Sequence, residues 1–399
     1  MTKAKAVLAE SLDWQEALNE ALAKLASFGE IDLLCVFASA AYRQFYPSLI
    51  HDLYTRSGAR TLIGCSGQSI IGNDREVEES PALALLALSL PGAKLRPTHL
   101  SQEVLSGEIN ADILGHILSQ STGLSEPDIN AWLLLADPFT TGDAEPIINA
   151  LTVAYRKRPI IGGMASGQFR MRETHIFLNG EVYDNGMVAL AVGGDYTLRP
   201  VVSQGATPIG EAWMVTAADQ NMIQAISGRP ALQVLTDSMK TLSPEQLDKF
   251  RKQPLVGLAV DEYKAEFGRG DFIIRNLMGA DPRTGVIAIG DIPRIGQTIQ
   301  FQMRDEVAAD EDLRELLSKS RNEMGGNMPV AGLLFSCNGR GSNMFAESDH
   351  DAKRIAEALD EMPLAGFFCN GEIGPIGSKT FLHSFTASLG LFVPTKPDA

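Results

Sequence analysis

Three stretches of the chain repeat one order of apolar and polar positions. Each opens on a run of consecutive apolar residues, the pattern of a strand buried on both faces: Leu33 to Ser39, Trp132 to Pro138, and Ala331 to Cys337. A segment with helical spacing follows, at Tyr46 to Arg56, Glu145 to Tyr155, and Asp351 to Leu359. A second apolar run then enters glycines, at Thr61 to Gly67, Pro159 to Gly167, and Pro363 to Gly371. A strand of small apolar residues closes each unit, at Ala82 to Leu90, Met187 to Val192, and Thr386 to Val393. The interval from first to second strand suits a parallel βαβ crossover. The chain therefore reads as three degenerate β-α-β-β units. The expected class is mixed α/β, with mixed sheets flanked by helices in two modules.

Other segments frame these units. Ser11 to Phe28 carries Leu12, Ala17, Leu18, Ala21, Leu22 and Leu25 at helical spacing, with Ser11 placed to cap. Asn179-Gly180 and Asn185-Gly186 mark turns in an antiparallel stretch around Thr174 to Val192. Between the second and third units, Ser243-Pro244-Glu245-Gln246 predicts a capped helix start. Strands are expected at Leu255 to Val260, Asp271 to Met278, Gly285 to Ile289 and Thr298 to Arg304, and an acidic helix over Ala308 to Asn322. A boundary at Asp195 to Pro200 divides the chain into residues 11–197 and 198–393.

Charge narrows the function classes. There are 49 acidic against 34 basic residues, a net charge of −15, and no run of Lys and Arg that could seat on phosphates. Nucleic acid and anionic membrane are thus not expected partners. No signal peptide is legible, and the longest apolar run, Pro81 to Leu90, is too short to span a bilayer. Cys35, Cys65, Cys337 and Cys369 lack CxxC spacing, which suits buried thiols in a cytoplasmic protein. The six histidines are scattered, so no metal site is expected, and neither a P-loop nor a GxGxxG after a strand is present.

The candidate chemistry lies at the carboxyl ends of the repeated strands, where such sheets gather ligands. Glycine is abundant at 37 residues, and many glycines fall there, as a backbone cradle for a ligand would require. The richest cluster follows the two strands of the third unit: Cys337, Asn338 and Arg340, then Asn370 and Glu372, with His383 on the next strand. Arg340 offers a planar fork to a carboxylate and Glu372 an acceptor to an ammonium, so together they suit an amino-acid-like zwitterion. Equally, Arg340 and Glu372 could pair with each other and pin two loops. Cys337 as a nucleophile would need His350 or His383 as its base. Ser66 and Ser166 stand at the matching ends of the other units, outside any GxSxG elbow, as turn serines counted with the binding set.

At these strand ends the sequence resembles the FIST domain family. The segments Phe335 to Gly341, Asn370 to Pro375 and Phe381 to Leu389 resemble motifs of its C-terminal domain, and Val36 to Ser39 with Ile63 to Ser66 resemble its N-terminal domain. The resemblance runs from Ser11 to Val393. It implies a sensory module for a small, amino-acid-like ligand that signals through a protein partner. The first predicted strand begins at Leu33, leaving no room for the F-box of some relatives, and no output domain is expected after Val393. Some bacterial relatives are haem-binding nitric oxide sensors; haem would require an axial residue, with Cys337 and His383 the candidates, and no cofactor is otherwise expected. The alternative from another class is a hydrolase or acyl-transfer enzyme working through Cys337.

Overall fold

A computed structural model describes residues 1–141, 144–167, 172–264 and 266–395. Along the chain the first repeat comprises β1 (Lys3–Glu10), α1 (Trp14–Leu25), β2 (Leu33–Ser39), α2 (Tyr46–Ser57), β3 (Leu62–Gly67), β4 (Ile70–Gly72), β5 (Arg75–Val77) and β6 (Ala82–Ser89). The second has β7 (Ala93–Leu100), α3 (Gln102–Leu105), α4 (Ala111–Thr122), β8 (Ile129–Ala136), α5 (Ala144–Ala154), β9 (Ile160–Met164), β10 (Ile176–Leu178), β11 (Glu181–Tyr183) and β12 (Met187–Gly194). After β13 (Tyr196–Gln204) come β14 (Ala206–Asp219), β15 (Met222–Ile226), β16 (Arg229–Pro230), α6 (Ala231–Met239), α7 (Pro244–Lys252), β17 (Pro254–Ala259), β18 (Phe272–Asp281), β19 (Val286–Ile289), β20 (Thr298–Arg304) and α8 (Glu306–Met324). The third repeat is β21 (Ala331–Cys337), α9 (His350–Ala358), β22 (Leu364–Cys369), β23 (Glu372–Ile376), β24 (Lys379–His383) and β25 (Thr386–Pro394). The mixed α and β class stands, in four sheets with flanking helices.

Packing divides the chain into two units. One holds residues 1–202, 314–382 and 386–399; the other holds 203–313 with 383–385. The sequence division at 197/198 is one of chain order, whereas packing returns the C-terminal repeat to the N-terminal two.

Within the larger unit the three sheets share one strand order: β1-β6-β2-β3-β10-β11, β7-β12-β8-β9-β23-β24, and β13-β25-β21-β22-β4-β5. In each, the two long strands of a crossover run parallel (β2 with β3, β8 with β9, β21 with β22) and the closing strand returns antiparallel. The last two strands of every sheet are a hairpin lent by another repeat. The hairpin after β3 joins the third sheet, the one after β9 joins the first, and the one after β22 joins the second. The exchange is cyclic, so no repeat has a complete sheet alone. Side chains alternate across each strand, and one face of all three sheets meets in a single core that includes Phe37, Leu135, Phe335 and Phe367. The other faces carry helices in separate cores, α1 and α2 over the first sheet, α4 and α5 over the second.

One glycine recurs at the same register in each repeat. Gly64, Gly162 and Gly366 lie opposite Val36, Leu134 and Leu334 on the parallel partner strand. A Cβ at these sites would fall 2.0, 1.9 and 2.0 Å from the partner's carbonyl oxygen. These glycines permit strand-to-strand approach, and the neighbouring backbone fills the space that the sequence reading gave to a ligand.

The N-terminus departs from expectation. β1 precedes the first helix and pairs with β6 along its whole length. The cap of α1 is Asp13, whose side chain accepts from Gln15 N at 2.7 Å and Glu16 N at 3.4 Å. Ser11 instead accepts from Asp13 N at 3.0 Å, two residues too early to cap. The cap of α7 is as expected, with a reciprocal box between Ser243 and Gln246. Among the described residues the strands of the smaller unit pair antiparallel, around a core including Phe250, Ile287 and Phe301.

Candidate functional site

The third repeat gathers buried charge where β21 and β22 end. After Cys337 the backbone turns, Arg340 N donating to Cys337 O at 2.8 Å, and this sends the Arg340 side chain inward, where it is fully buried. Its guanidinium grips Asp351, in the first turn of α9, with Nε on Oδ2 at 2.7 Å and Nη2 on Oδ1 at 2.8 Å. Ser336 Oγ donates to Oδ2 at 3.2 Å, and His350 Nδ1 lies 3.0 Å from Oδ1. Phe345 stacks on His350, ring centroids 3.5 Å apart, and lies under the Arg340 guanidinium. Burial pushes the Asp351 carboxyl up, but Arg340 and His350 outweigh it and hold the group well below the usual carboxylate range. Arg340 and Glu372 therefore do not pin two loops as a pair: the anion that pairs with Arg340 is Asp351.

A second carboxyl reaches this cluster from the first repeat's lent hairpin. Glu76 follows β4 into the third sheet, and its Oε1 accepts from Ala352 N, at the start of α9, at 2.9 Å. Its own backbone N donates to Asp349 Oδ1 at 2.8 Å. Burial, with Asp351 nearby, pushes the Glu76 carboxyl up to about 8. Glu78 on the same strand end accepts from Ser342 N at 2.9 Å and Ser342 Oγ at 2.7 Å. Gly341 fits beneath it with φ +58°; a Cβ there would meet Glu78 Oε1 at 2.7 Å.

Glu372 is the other buried acid. It faces Gly163 across the lent hairpin, a register position that Ile70 and Ile176 occupy in the other two sheets. Both isoleucines point into the shared core. Glu372 does so as a fully buried carboxyl, accepting from Cys369 Sγ at 3.3 Å and Thr386 N at 3.1 Å. The Cys337 thiol bonds the same carboxyl. Burial pushes Glu372 up to about 8, against the pull of those bonds and of Arg340. Burial, then Glu372 itself, pushes the Cys369 thiol well above its ordinary range.

The remaining candidates are placed as follows. Asn338 and Asn370, both half-buried, bond to each other at 2.8 Å, and Asn370 Nδ2 also donates to Ala165 O at 3.1 Å. Ser66 and Ser166 are buried where the second strands of the repeats converge. Ser66 Oγ donates to Ser166 O at 2.8 Å and accepts from His175 N at 3.0 Å. Ser166 Oγ donates to Phe368 O and accepts from Gln68 N at 2.7 Å. Their hydroxyls thus tie repeat to repeat. His383 is buried at the end of β24 and groups by packing with residues 203–313.

Three buried polar atoms of the cluster have no hydrogen-bond partner among the described residues: Arg340 Nη1, Glu76 Oε2 and Asn338 Oδ1. Among the described residues no group of three or more His, Cys, Asp or Glu is placed to hold a metal ion. A haem iron on Cys337 would need that sulfur as a thiolate ligand, and the thiol is instead bonded to the Glu372 carboxyl. Asp351 and Glu76 escaped the sequence reading: Asp351 looked like an ordinary first-turn acid, and Glu76 sits in a polar stretch, Asn73 to Glu79, with no period to separate it from its neighbours.

Family models for the FIST N domain match residues 32–229 and for the FIST C domain residues 231–375. The chain belongs to the FIST family. FIST domains are associated with signal-transduction sensing. The chain is 40% identical over 332 residues to an uncharacterized protein of Mycobacterium tuberculosis (strain ATCC 25618 / H37Rv), covering 83% of both chains. It is 38% identical over 379 residues to one of Mycobacterium bovis, covering 95% of this chain and 94% of that one. A cyanuric acid hydrolase from A. caulinodans aligns over 99% of this chain and 100% of that one at 9% identity and a TM-score of 0.33, too distant to inform fold or chemistry. No described helix is long and apolar enough to cross a membrane.

Proposed function

We propose that this FIST protein is a sensor that takes a small amino-acid-like ligand at the Arg340–Glu76–Glu372 cluster and passes its occupancy to a protein partner. The observation that carries this reading is Arg340 Nη1, a fully buried donor without an acceptor. Leaving such a group unmet costs about 1–3 kcal/mol, so it belongs against something that accepts. Glu76 Oε2 and Asn338 Oδ1 are leftover acceptors in the same cluster. A ligand carrying both a carboxylate and an ammonium supplies what each lacks, with Glu372 as a further acid for the cation.

Calorimetric titration of the full chain with a panel of free amino acids tests this. At least one is expected to bind, and Glu76→Gln and Glu372→Gln, which keep shape and lose the acid, should each weaken it by about tenfold or more. A panel without a binder, or a binder indifferent to both substitutions, overturns the reading.

A further inference from the structure

Cys337 and Cys369 end the parallel pair β21–β22 at the same register position. Residues so paired lie on strands about 4.8 Å apart with their side chains on one face, inside the Cα window of about 4.4–6.8 Å that a disulfide spans. The face is the one that turns Phe335, Phe367 and Cys369 into the shared core. Both thiols bond one carboxyl, that of Glu372, with Cys369 Sγ at 3.3 Å from Oε1. Gly163 clears room beside them: a Cβ there would lie 3.4 Å from Cys369 Sγ. Cys337 is half-buried and additionally accepts from Gly339 N at 3.4 Å, whereas Cys369 is fully buried. No disulfide is present among the four cysteines. Cys35 and Cys65, buried in the same core, lie two register steps apart on paired strands, Cys35 opposite Ile63 and Cys65 opposite Phe37.

We propose that Cys337 and Cys369 form a hydroperoxide-responsive dithiol, with Glu372 as the proton relay that serves both sulfurs. Cys337, the more accessible thiol, attacks the peroxide; the O–O bond breaks, Glu372 gives its carboxyl proton to the departing oxygen, which leaves as water or an alcohol, and takes the Cys337 thiol proton in its place, giving Cys337 sulfenic acid. Cys369 then attacks the Cys337 sulfur; Glu372 gives its proton to the departing hydroxyl, which leaves as water, and is reprotonated by the Cys369 thiol. The thiols lose two hydrogens, the peroxide is reduced, and the product is a Cys337–Cys369 disulfide. The buried carboxyl bonds both thiols at rest and exchanges protons only as a sulfur reacts. This site shares Glu372 with the proposed ligand cluster but does not rest on amino-acid binding, and its test uses no such ligand.

The full chain is treated with hydrogen peroxide, blocked with iodoacetamide, and mapped by peptide mass spectrometry with and without reductant. The expected product is a reducible peptide pair joining Cys337 to Cys369, with Cys35 and Cys65 unchanged. Cys369→Ser should leave Cys337 as a sulfenic acid captured by dimedone. Glu372→Gln should slow disulfide formation by about tenfold or more while leaving the circular dichroism spectrum unchanged. Cys337 and Cys369 both remaining reduced, or a Glu372→Gln variant that oxidises as fast as the parent, overturns the proposal.

Discussion

The third repeat and the first two share a scaffold and differ at a few positions that turn it to chemistry. At the end of the leading strand, Ser39 in the first repeat accepts from Ala82 N at 2.8 Å and so fastens its own closing strand. Asp137 in the second accepts from Phe139 N, Thr140 N and Thr140 Oγ1, which spends one oxygen on a local turn, and from Thr174 Oγ1 on the other. Cys337 at the same place faces a buried acid instead. On the lent hairpin the contrast sharpens, with Ile70 and Ile176 in two sheets and Glu372 in the third. At these two positions the first two repeats saturate or avoid buried polar groups, although Trp132 Nε1 on β8 is also buried without a partner among the described residues. The third keeps several and leaves some unmet, and unmet buried polarity signals function because a purely structural core would eliminate it.

The sharpest way to separate shared scaffold from local chemistry is to strike all three repeats at once. Alanine at Gly64, Gly162 or Gly366 would drive Cβ into a carbonyl oxygen, and each substitution should cost more than about 4 kcal/mol. Equal loss of folded protein at the three sites, followed by urea melts, is expected; a tolerated Gly64→Ala beside a disrupted Gly366→Ala would break the equivalence. Next in size, Arg340→Ala strands Asp351 as an unpaired buried anion and should destabilise by about 3–5 kcal/mol. The double replacement Arg340→Met with Asp351→Leu removes both charges and should recover most of that loss while abolishing ligand binding. A double variant as unstable as Arg340→Ala alone would place the cost in packing rather than charge.

The repeat order was legible because its long strands are largely apolar and its crossovers are of similar length, so β2, β8 and β21 stand out without any structure. The cyclic lending of hairpins was not legible. β4, β5, β10 and β11 are three residues each, too short for alternation to register, and their partners lie far along the chain. Asn179-Gly180 did mark one of them as a hairpin, with φ of 47° and 89°, but a turn says nothing about which sheet receives it. Arg340 and Glu372 were visible as unusual residues at strand ends. Their true partners were hidden because Asp351 and the two cysteines approach through tertiary packing.

Replacing Glu372 by isoleucine makes the third lent hairpin resemble the other two. With an apolar neighbour in place of a buried acid, stability at pH 8 should rise by about 1–3 kcal/mol, while disulfide formation under peroxide fails. A loss of stability in thermal melts would mean that Glu372 holds the core together in a way its two counterparts do not.

The smallest expected effect is also the most specific to this repeat, since it comes from titration. Glu76 and Glu372 each have a folded-state pKa pushed up to about 8 by burial, against an ordinary value of 4.5. A raised acid contributes stability below its unfolded pKa and loses it as pH climbs through the folded one, so both groups should weaken the fold between pH 4.5 and 8. Asp351 works the other way, stabilising above its ordinary pKa and losing that contribution only in acid. The groups acting on Glu372 are Cys369, Thr386 N, Arg340 and Cys337; the Cys369 thiol and the Arg340 guanidinium are both pushed up and keep their charge state in this window. Urea denaturation at pH 5 and pH 8 should therefore show a parent protein that is less stable at the higher pH. Glu372→Gln, which cannot ionise, should reduce that difference by at least about 1 kcal/mol, and adding Glu76→Gln should reduce it further. The same slope in parent and double variant would mean that neither acid is held neutral, and the third repeat would then differ from its neighbours in sequence but not in electrostatics.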